Sequence, residues 1–223
     1  MCINDVELPP YSKKMEIWNS ITHFLGVPFT IAFAPFAISK AYYSTDILGQ
    51  ISVYICLLFM LILYAGSAWY HGAKPGRFKR VLRILDHDNV FLQVMGSYLP
   101  FCWIALREPQ NGIPWGWIIF GIVWGSSILG IILNSINIER FKVVSYVLQI
   151  VAGSVILIAF GPLRSAIGLP GVLMCFFAGV CYWIGAALYA IGKRKTAWFH
   201  TVFHLFVLAG SILMFLSIYL YVL

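Results

Sequence analysis

The sequence predicts an all-α integral membrane protein, a bundle of seven transmembrane helices with a cytoplasmic N-terminus and an external C-terminus. Of its 223 residues, 61% are hydrophobic and only 10% are charged. A soluble domain averages roughly half apolar and a quarter charged residues, so this composition cannot cover a water-facing surface. Two further observations support the class: apolar runs of about 20 residues recur along the chain, and basic residues are concentrated on one of its two predicted sides.

Each predicted span is an apolar run bounded by polar, Gly- or Pro-containing segments. Seven spans of this length leave no room for a separate soluble domain, so residues 1–223 form one domain with a short cytoplasmic tail at 1–15. The predicted spans are Ile17–Ser39, Leu48–His71, Leu85–Leu106, Ile113–Asn134, Val143–Phe160, Leu169–Ile191 and Trp198–Val222.

The distribution of Lys and Arg predicts the orientation, because cytoplasmic loops of membrane proteins are enriched in these residues. With the N-terminus inside, the external side receives only Lys40, Arg107 and Arg164. The net charge of +7 is thereby explained by basic loops, and a nucleic-acid partner is not expected. The cytoplasmic side receives Lys13, Lys14, Lys74, Arg77, Lys79, Arg80, Arg83, Arg140, Lys142, Lys193, Arg194 and Lys195.

Histidines supply the sharpest site prediction. His200 and His204 lie one helical turn apart, so both imidazoles can bind the same divalent ion. His71 is expected at the same depth on another helix. Three histidines and a water form the usual catalytic zinc site with one open position, so these residues are the predicted metal ligands. Other first-row ions also bind histidine-rich sites.

Two acids at the start of the third span compete for one role. A carboxylate beside a metal-activated water can accept its proton, and Asp86 is the preferred candidate. The same acid could instead cap the N-terminus of the third helix. Asp88 competes for either role from a different face. The intervening His87 is expected to be structural.

Ser67 lies one turn before His71 and could hydrogen-bond the attacking water or a substrate carbonyl. A serine in a membrane helix also commonly bonds its own backbone or a neighbouring helix. Both interpretations stay open.

The first helix places Glu16, Asn19 and His23 on one face. These residues form either a polar lock between this helix and the site or a set of groups that orient a ligating histidine. Glu16 could also be a first-turn acid favoured by the helix dipole. His23 is a weaker candidate ligand than His71, because nothing pairs with it at metal-ligand spacing.

At these residues the sequence resembles the hemolysin III proteins, the bacterial branch of the progestin and adipoQ receptor family. The first motif is Glu16-Ile-Trp-Asn19-Ser-Ile-Thr22-His23. The second comprises Ser67-Ala-Trp-Tyr-His71, Arg83-Ile-Leu-Asp86-His87 and Gly96-Ser97-Tyr98-Leu-Pro100. The third is His200-Thr-Val-Phe-His204 with the following Leu-Phe-Val-Leu-Ala-Gly-Ser.

The resemblance implies a seven-helix fold that holds zinc near the cytoplasmic face, in a multi-pass protein of the inner (plasma) membrane. The implied ligands are His71, His200 and His204, with Asp86 positioning a water and Ser67 beside it. Asp88 stands where a small polar residue is expected, and the register of the Gly-Ser-Tyr-x-Pro segment favours Asp86 as the functional acid. The wider superfamily includes alkaline ceramidases, which hydrolyse a lipid amide.

Three functions are consistent with these features. The leading hypothesis is a zinc-dependent hydrolase of a lipid amide or ester, with a membrane lipid as substrate and an effect on membrane lipid homeostasis. The second is a cytolysin, although a chain this apolar has no evident water-soluble stage. The third is a receptor-like regulator with structural zinc.

Overall fold

The computed structural model describes residues 3–195 and 198–223, in which the secondary structure is helical. The side chains of Lys193, Arg194 and Lys195, three of the cations assigned to the cytoplasmic side, lie outside the described residues. A 3₁₀ turn at Ile3–Asp5 comes first. Short π turns extend the helices that end at Pro100 and Ser217, and a 3₁₀ turn extends the helix that ends at Ser154. The main helices are α1 (Lys13–Phe24), α2 (Gly26–Ser44), α3 (Ile47–Gly72), α4 (Arg77–Pro100), α5 (Trp115–Asn137), α6 (Lys142–Ser154), α7 (Phe160–Lys195) and α8 (Trp198–Ser217).

Five helical segments of the described chain are long and apolar enough to cross a membrane: Lys13–Ser44, Ile47–Gly72, Trp115–Asn137, Lys142–Gly192 and Trp198–Val222. Large apolar side chains point outward, including Phe36, Ile132, Val143 and Phe177, each at least 50% exposed. In water such a surface would be unfavourable, whereas lipid solvates it. An all-helical membrane bundle fits these features.

The seven-span count stays a prediction for two physical reasons. The α4 helix is not among the five segments, because its first half carries Arg77, Lys79, Arg80, Arg83, Asp86 and Asp88. The segment Lys142–Gly192 has 51 residues, more than twice the roughly 20 that one span needs. Its helix is interrupted at Gly168, where φ is 70° and ψ is 169°, in a region that favours glycine.

One predicted span contains a break, and one predicted helix start was wrong. The predicted first span is divided into α1 and α2 at Leu25, because Pro28 has no N–H to donate to the Phe24 carbonyl. The helix of the third predicted span, α4, begins at Arg77 rather than at Leu85. Asp86 therefore lies well inside α4, and the interpretation of Asp86 as an N-terminal cap was wrong.

The arrangement of the helices brings α1 against both α3 and α8. The α3 helix also packs on α2 and α4. The α5 helix packs between α4 and α6, and α7 packs on α8. Close approach at several of these contacts requires glycine. At Gly26, for example, a Cβ atom would lie 2.2 Å from the ring of Tyr64 on α3. As a result, the ends of α3 and α8 meet beside α1.

Gly130 on α5 offers a test of this packing, because its Cβ would lie 2.1 Å from the buried ring of Phe91 on α4. We expect Gly130→Ala to lower the free energy of unfolding by about 1–3 kcal/mol, the usual cost of overpacking. Gly125→Ala on the same helix is the matched control, since nothing lies within 4 Å of its Cβ. Thermal unfolding in detergent compares the two, and equal stability would contradict the packing described.

Candidate metal centre

Three buried histidines converge where α3 ends and α8 begins. The exposed fractions are 2% for His71, 9% for His200 and 1% for His204. One ring nitrogen of each lies within 4.8 Å of the others, and the Nε2 atoms of His71 and His200 are 3.2 Å apart. Imidazole nitrogens gathered around a common point form a ligand set that could hold a transition-metal ion.

The orientation of His71 is fixed from α1. Its Nδ1 lies 2.7 Å from Oε2 of Glu16, so an Nδ1–H donates to the carboxylate. This contact selects the tautomer whose Nε2 lone pair faces the other two histidines. Oε1 of Glu16 accepts a hydrogen bond from the ammonium of Lys79 at 2.7 Å. Glu16 is thus more than a first-turn acid, because it contacts a histidine of the cluster directly.

The orientation of His204 is also fixed from α1. Its Nδ1 lies 3.1 Å from the carbonyl oxygen of Asn19 and 3.2 Å from Oγ1 of Thr22. The side chain of Asn19 accepts a hydrogen bond from the hydroxyl of Thr201 on α8. The cap of α1 sets this register, since Oγ of Ser12 accepts from the backbone N–H of Met15. The same face of α1 therefore carries an orienting group for each of two histidines.

His23 lies behind the cluster and is not one of its three converging members. Its ring stacks on that of His204 with centroids 3.6 Å apart and meets Tyr64 edge-on. Neither nitrogen of its buried ring has a hydrogen-bond partner among the described residues. The geometry thus places His23 next to a candidate ligand and leaves its nitrogens available to a small polar molecule.

Ser67 is fully buried one turn before His71, and its hydroxyl likewise has no partner among the described residues. The expected alternative, a bond to its own backbone or to a neighbouring helix, is not what this part of the chain shows. A buried hydroxyl without a protein partner can bind water or a substrate carbonyl.

The two acids of α4 face different neighbours. The Asp88 carboxylate accepts a hydrogen bond from Nδ2 of Asn134 on α5 at 3.0 Å, and Oδ1 of Asn134 accepts from Ser145 on α6 at 2.6 Å. Asp88 therefore belongs to a buried network directed toward α5 and α6. His87 is held at the carbonyl of Arg83, with its Nδ1 2.9 Å from that oxygen.

Asp86 lies instead on the side of the histidines. Burial, followed by the negative charges of Glu16 and Asp86, raises the pKa of Tyr11 above its ordinary value. The ring of Tyr11 stacks on His200 with centroids 5.2 Å apart. The charge of Asp86 thus acts on a side chain that touches the cluster, although its carboxylate is not among the converging ligand atoms.

Sequence reasoning missed Tyr11, Thr22, Lys79 and Thr201. Lys79 was assigned to a cytoplasmic loop because hydropathy placed the start of its helix too late. Tyr11 does lie in the tail before α1, and its contact with His200 on α8 forms only in the folded protein. The two threonines could have been found from the sequence, because each stands next to a histidine of a motif. Thr22 precedes His23, and Thr201 follows His200.

The fold and the site together define a multi-pass helical membrane protein with a buried three-histidine cluster. The model of the Haemolysin-III related family matches residues 11–215, and the chain belongs to that family. "Hemolysin-3" of Bacillus cereus is 31% identical over 210 residues, which are 94% of this chain and 93% of that protein. "Hemolysin-3 homolog" of Bacillus subtilis (strain 168) is 31% identical over 211 residues, 95% and 96% of the two chains.

The separation of the two acids is testable through stability. Asp88→Ala would leave Nδ2 of Asn134 buried without its acceptor, so we expect a loss of about 1–3 kcal/mol in the free energy of unfolding. Asp86→Ala is the control, because its carboxylate makes no hydrogen bond among the described residues. Thermal unfolding in detergent should rank the variants in that order, and the reverse order would refute the assignment of Asp88 to the structural network.

Proposed function

We propose that this protein is a zinc-dependent membrane hydrolase that cleaves an amide or ester bond of a lipid. The observation that carries the proposal is the convergence of three buried histidines. Structural zinc sites usually have four protein ligands, whereas catalytic sites have three and an open position. Neither His23 nor a carboxylate of the described residues joins the group, and this favours the catalytic alternative over structural zinc in a receptor-like regulator.

The proposed topology comprises seven spans with the N-terminus in the cytoplasm of a bacterial inner membrane. In this assignment α1 and α2 form the first span, α3 to α6 form the next four, and α7 after Gly168 and α8 form the last two. The histidine cluster then lies at the cytoplasmic headgroup level, where the scissile bond of a lipid with a buried acyl chain would be found.

The residues have distinct roles in the proposed reaction. Bound zinc would supply Lewis acidity, which lowers the pKa of a water towards about 7 and polarises a carbonyl. Asp86 accepts the proton of the attacking water and returns it to the leaving amine or alcohol. The hydroxyl of Ser67 binds the carbonyl oxygen, and Glu16 and Asn19 hold His71 and His204 in their ligating orientations.

A mainly apolar cavity of about 60 Å³ lies apart from the histidine cluster, whose three members do not line it. It lies between α4, α6, α7 and α8, lined by residues that include Tyr98, Leu163, Val172, Trp183 and Met214. Such a lining favours apolar over polar contents.

The name "Hemolysin-3" of the Bacillus cereus relative supports a second candidate, a cytolysin. A secreted pore former needs a water-soluble stage, and the outward-facing apolar side chains of this bundle do not favour one. Red-cell lysis that persists after all three histidines are replaced would favour the cytolysin. Lysis that requires them would connect it to the metal-dependent activity.

Metal content is the first test. We expect about one zinc per chain in detergent-purified protein, and none in His200→Ala/His204→Ala, because one remaining imidazole cannot retain the ion. Mass spectrometry measures both. His87→Ala is the control, because His87 is held at the Arg83 carbonyl rather than in the cluster. A folded wild-type protein without metal would refute the hydrolase.

Turnover is the second test. Asp86→Asn should retain zinc and lose hydrolysis by at least about 100-fold, since general-base catalysis typically contributes 10²–10⁴-fold. Product release from a panel of lipid amides and esters in mixed micelles measures the rate, and metal analysis is made on the same sample. Asp88→Asn, which keeps an acceptor for Asn134, is the matched control. Normal turnover by Asp86→Asn would exclude this mechanism.

A further inference from the structure

Lys79 is an unusual residue for its position, because its side chain is buried at 3% exposure in the first turns of α4. A buried ammonium is unfavourable unless its protons are hydrogen-bonded and its charge is paired. Here Nζ donates to Oε1 of Glu16 at 2.7 Å, to the Ala73 carbonyl at 3.1 Å and to the His71 carbonyl at 3.4 Å. These three acceptors account for the three protons of the group.

Part of this arrangement serves the helix end. The carbonyls of His71 and Ala73 lie at the C-terminus of α3, where backbone acceptors lack intrahelical partners and a cation is favourable. If capping were the only role, however, Lys79 would not need the carboxylate of Glu16.

The two oxygens of Glu16 are divided between Lys79 and His71. Oε1 accepts from Nζ of Lys79 and Oε2 accepts from Nδ1 of His71, both at 2.7 Å. A carboxylate that accepts from the ammonium at one oxygen and from the imidazole at the other loses much of its rotational freedom, so Lys79 helps to keep Oε2 directed at His71. The remaining nitrogen, Nε2, then faces His200 at 3.2 Å.

The neighbouring cations of α4 have other partners. Nε of Arg80 donates to the Val6 carbonyl at 2.9 Å, and Arg83 pairs with Glu139, which follows α5 in the chain. Among the described residues, Lys79 is the only cation of α4 that contacts Glu16.

We propose that Lys79 is a positioning residue of the metal centre, holding Glu16 so that Glu16 orients His71 for coordination. The inference rests on the proposed metal site and adds to it a residue that touches neither ion nor substrate. Removing the charge of Lys79 therefore alters coordination by His71 while the three ligands remain in place.

The experiment compares Lys79→Met, Glu16→Gln and the double variant in detergent, with Arg80→Met as the matched control for loss of one cation from the same helical turn. Zinc affinity is measured by competition with a chelator. The visible spectrum of the Co(II)-loaded protein reports changes in ligand geometry independently of activity. Circular dichroism and thermal unfolding of the metal-free proteins report folding.

We expect Lys79→Met to weaken zinc binding by about 10- to 100-fold, as the loss of groups behind metal ligands usually does, and to shift the Co(II) bands. Glu16→Gln should do the same. The double variant should bind no more weakly than Glu16→Gln alone, because both substitutions interrupt one chain of contacts. Arg80→Met should retain the wild-type affinity and spectrum.

A Lys79→Met protein with wild-type affinity and spectrum but a lower unfolding temperature would overturn the inference and leave Lys79 as a helix cap. Additive losses in the double variant would also overturn it. If Lys79→Met does not fold, Lys79→Gln carries the same comparison, since it keeps a donor for the α3 carbonyls without the charge. A folded wild-type protein that binds neither zinc nor Co(II) refutes the proposed function as well. If the wild-type protein binds zinc and only the Lys79 variants behave unexpectedly, the proposed function is unaffected.

Discussion

The hydrogen bond between Glu16 and His71 joins the start of α1 to the end of α3, and the arrangement of the site depends on it. In an apolar surrounding, an unpaired carboxylate or imidazole is costly, so the pairing of Glu16 with His71 stabilises the bundle. Glu16 satisfies one histidine, and Asn19, one turn further along α1, satisfies another on α8. The contacts are complete only when α1 lies between α3 and α8, so site geometry and helix packing impose the same arrangement.

The α4 helix serves two polar regions at once. Its start supplies Lys79 to the histidine end, while Arg83 and Asp88 pair with Glu139, on the chain just after α5, and with Asn134 on α5. Because successive helical residues point about 100° apart, Asp86 and Asp88 lie on nearly opposite faces. This explains how two acids in one short motif contribute to different networks, and why Asp88 faces the helix neighbours rather than the histidines.

Local spacing and the resemblance predicted more of the site than of the helix boundaries. One-turn spacing placed Glu16 with Asn19 and His200 with His204, and the family was confirmed. The start of α4 was predicted eight residues late, because hydropathy treats charged residues as loop. Here Lys79 and Arg83 are buried through partners that are distant in sequence, Glu16 and Glu139. Such pairs form only in the tertiary structure, so local patterns in a single sequence do not predict them.

Buried polar atoms without a hydrogen-bond partner lie near the histidines, and they favour a site that binds water or a ligand. A site that only joins helices gains from satisfying every buried polar group, as Asn134 is satisfied between Asp88 and Ser145. The ring nitrogens of His23 and the hydroxyl of Ser67 are buried without such partners in the described chain, and each neighbours a member of the cluster. The hydroxyls of Ser127 and Ser154 are also buried without partners in the described chain, so Ser67 and His23 are distinguished by their position next to the cluster. Buried polar groups are usually completed by a protein partner, water or a ligand. Their position beside the three histidines supports the proposed centre, in which a water and a lipid carbonyl would meet.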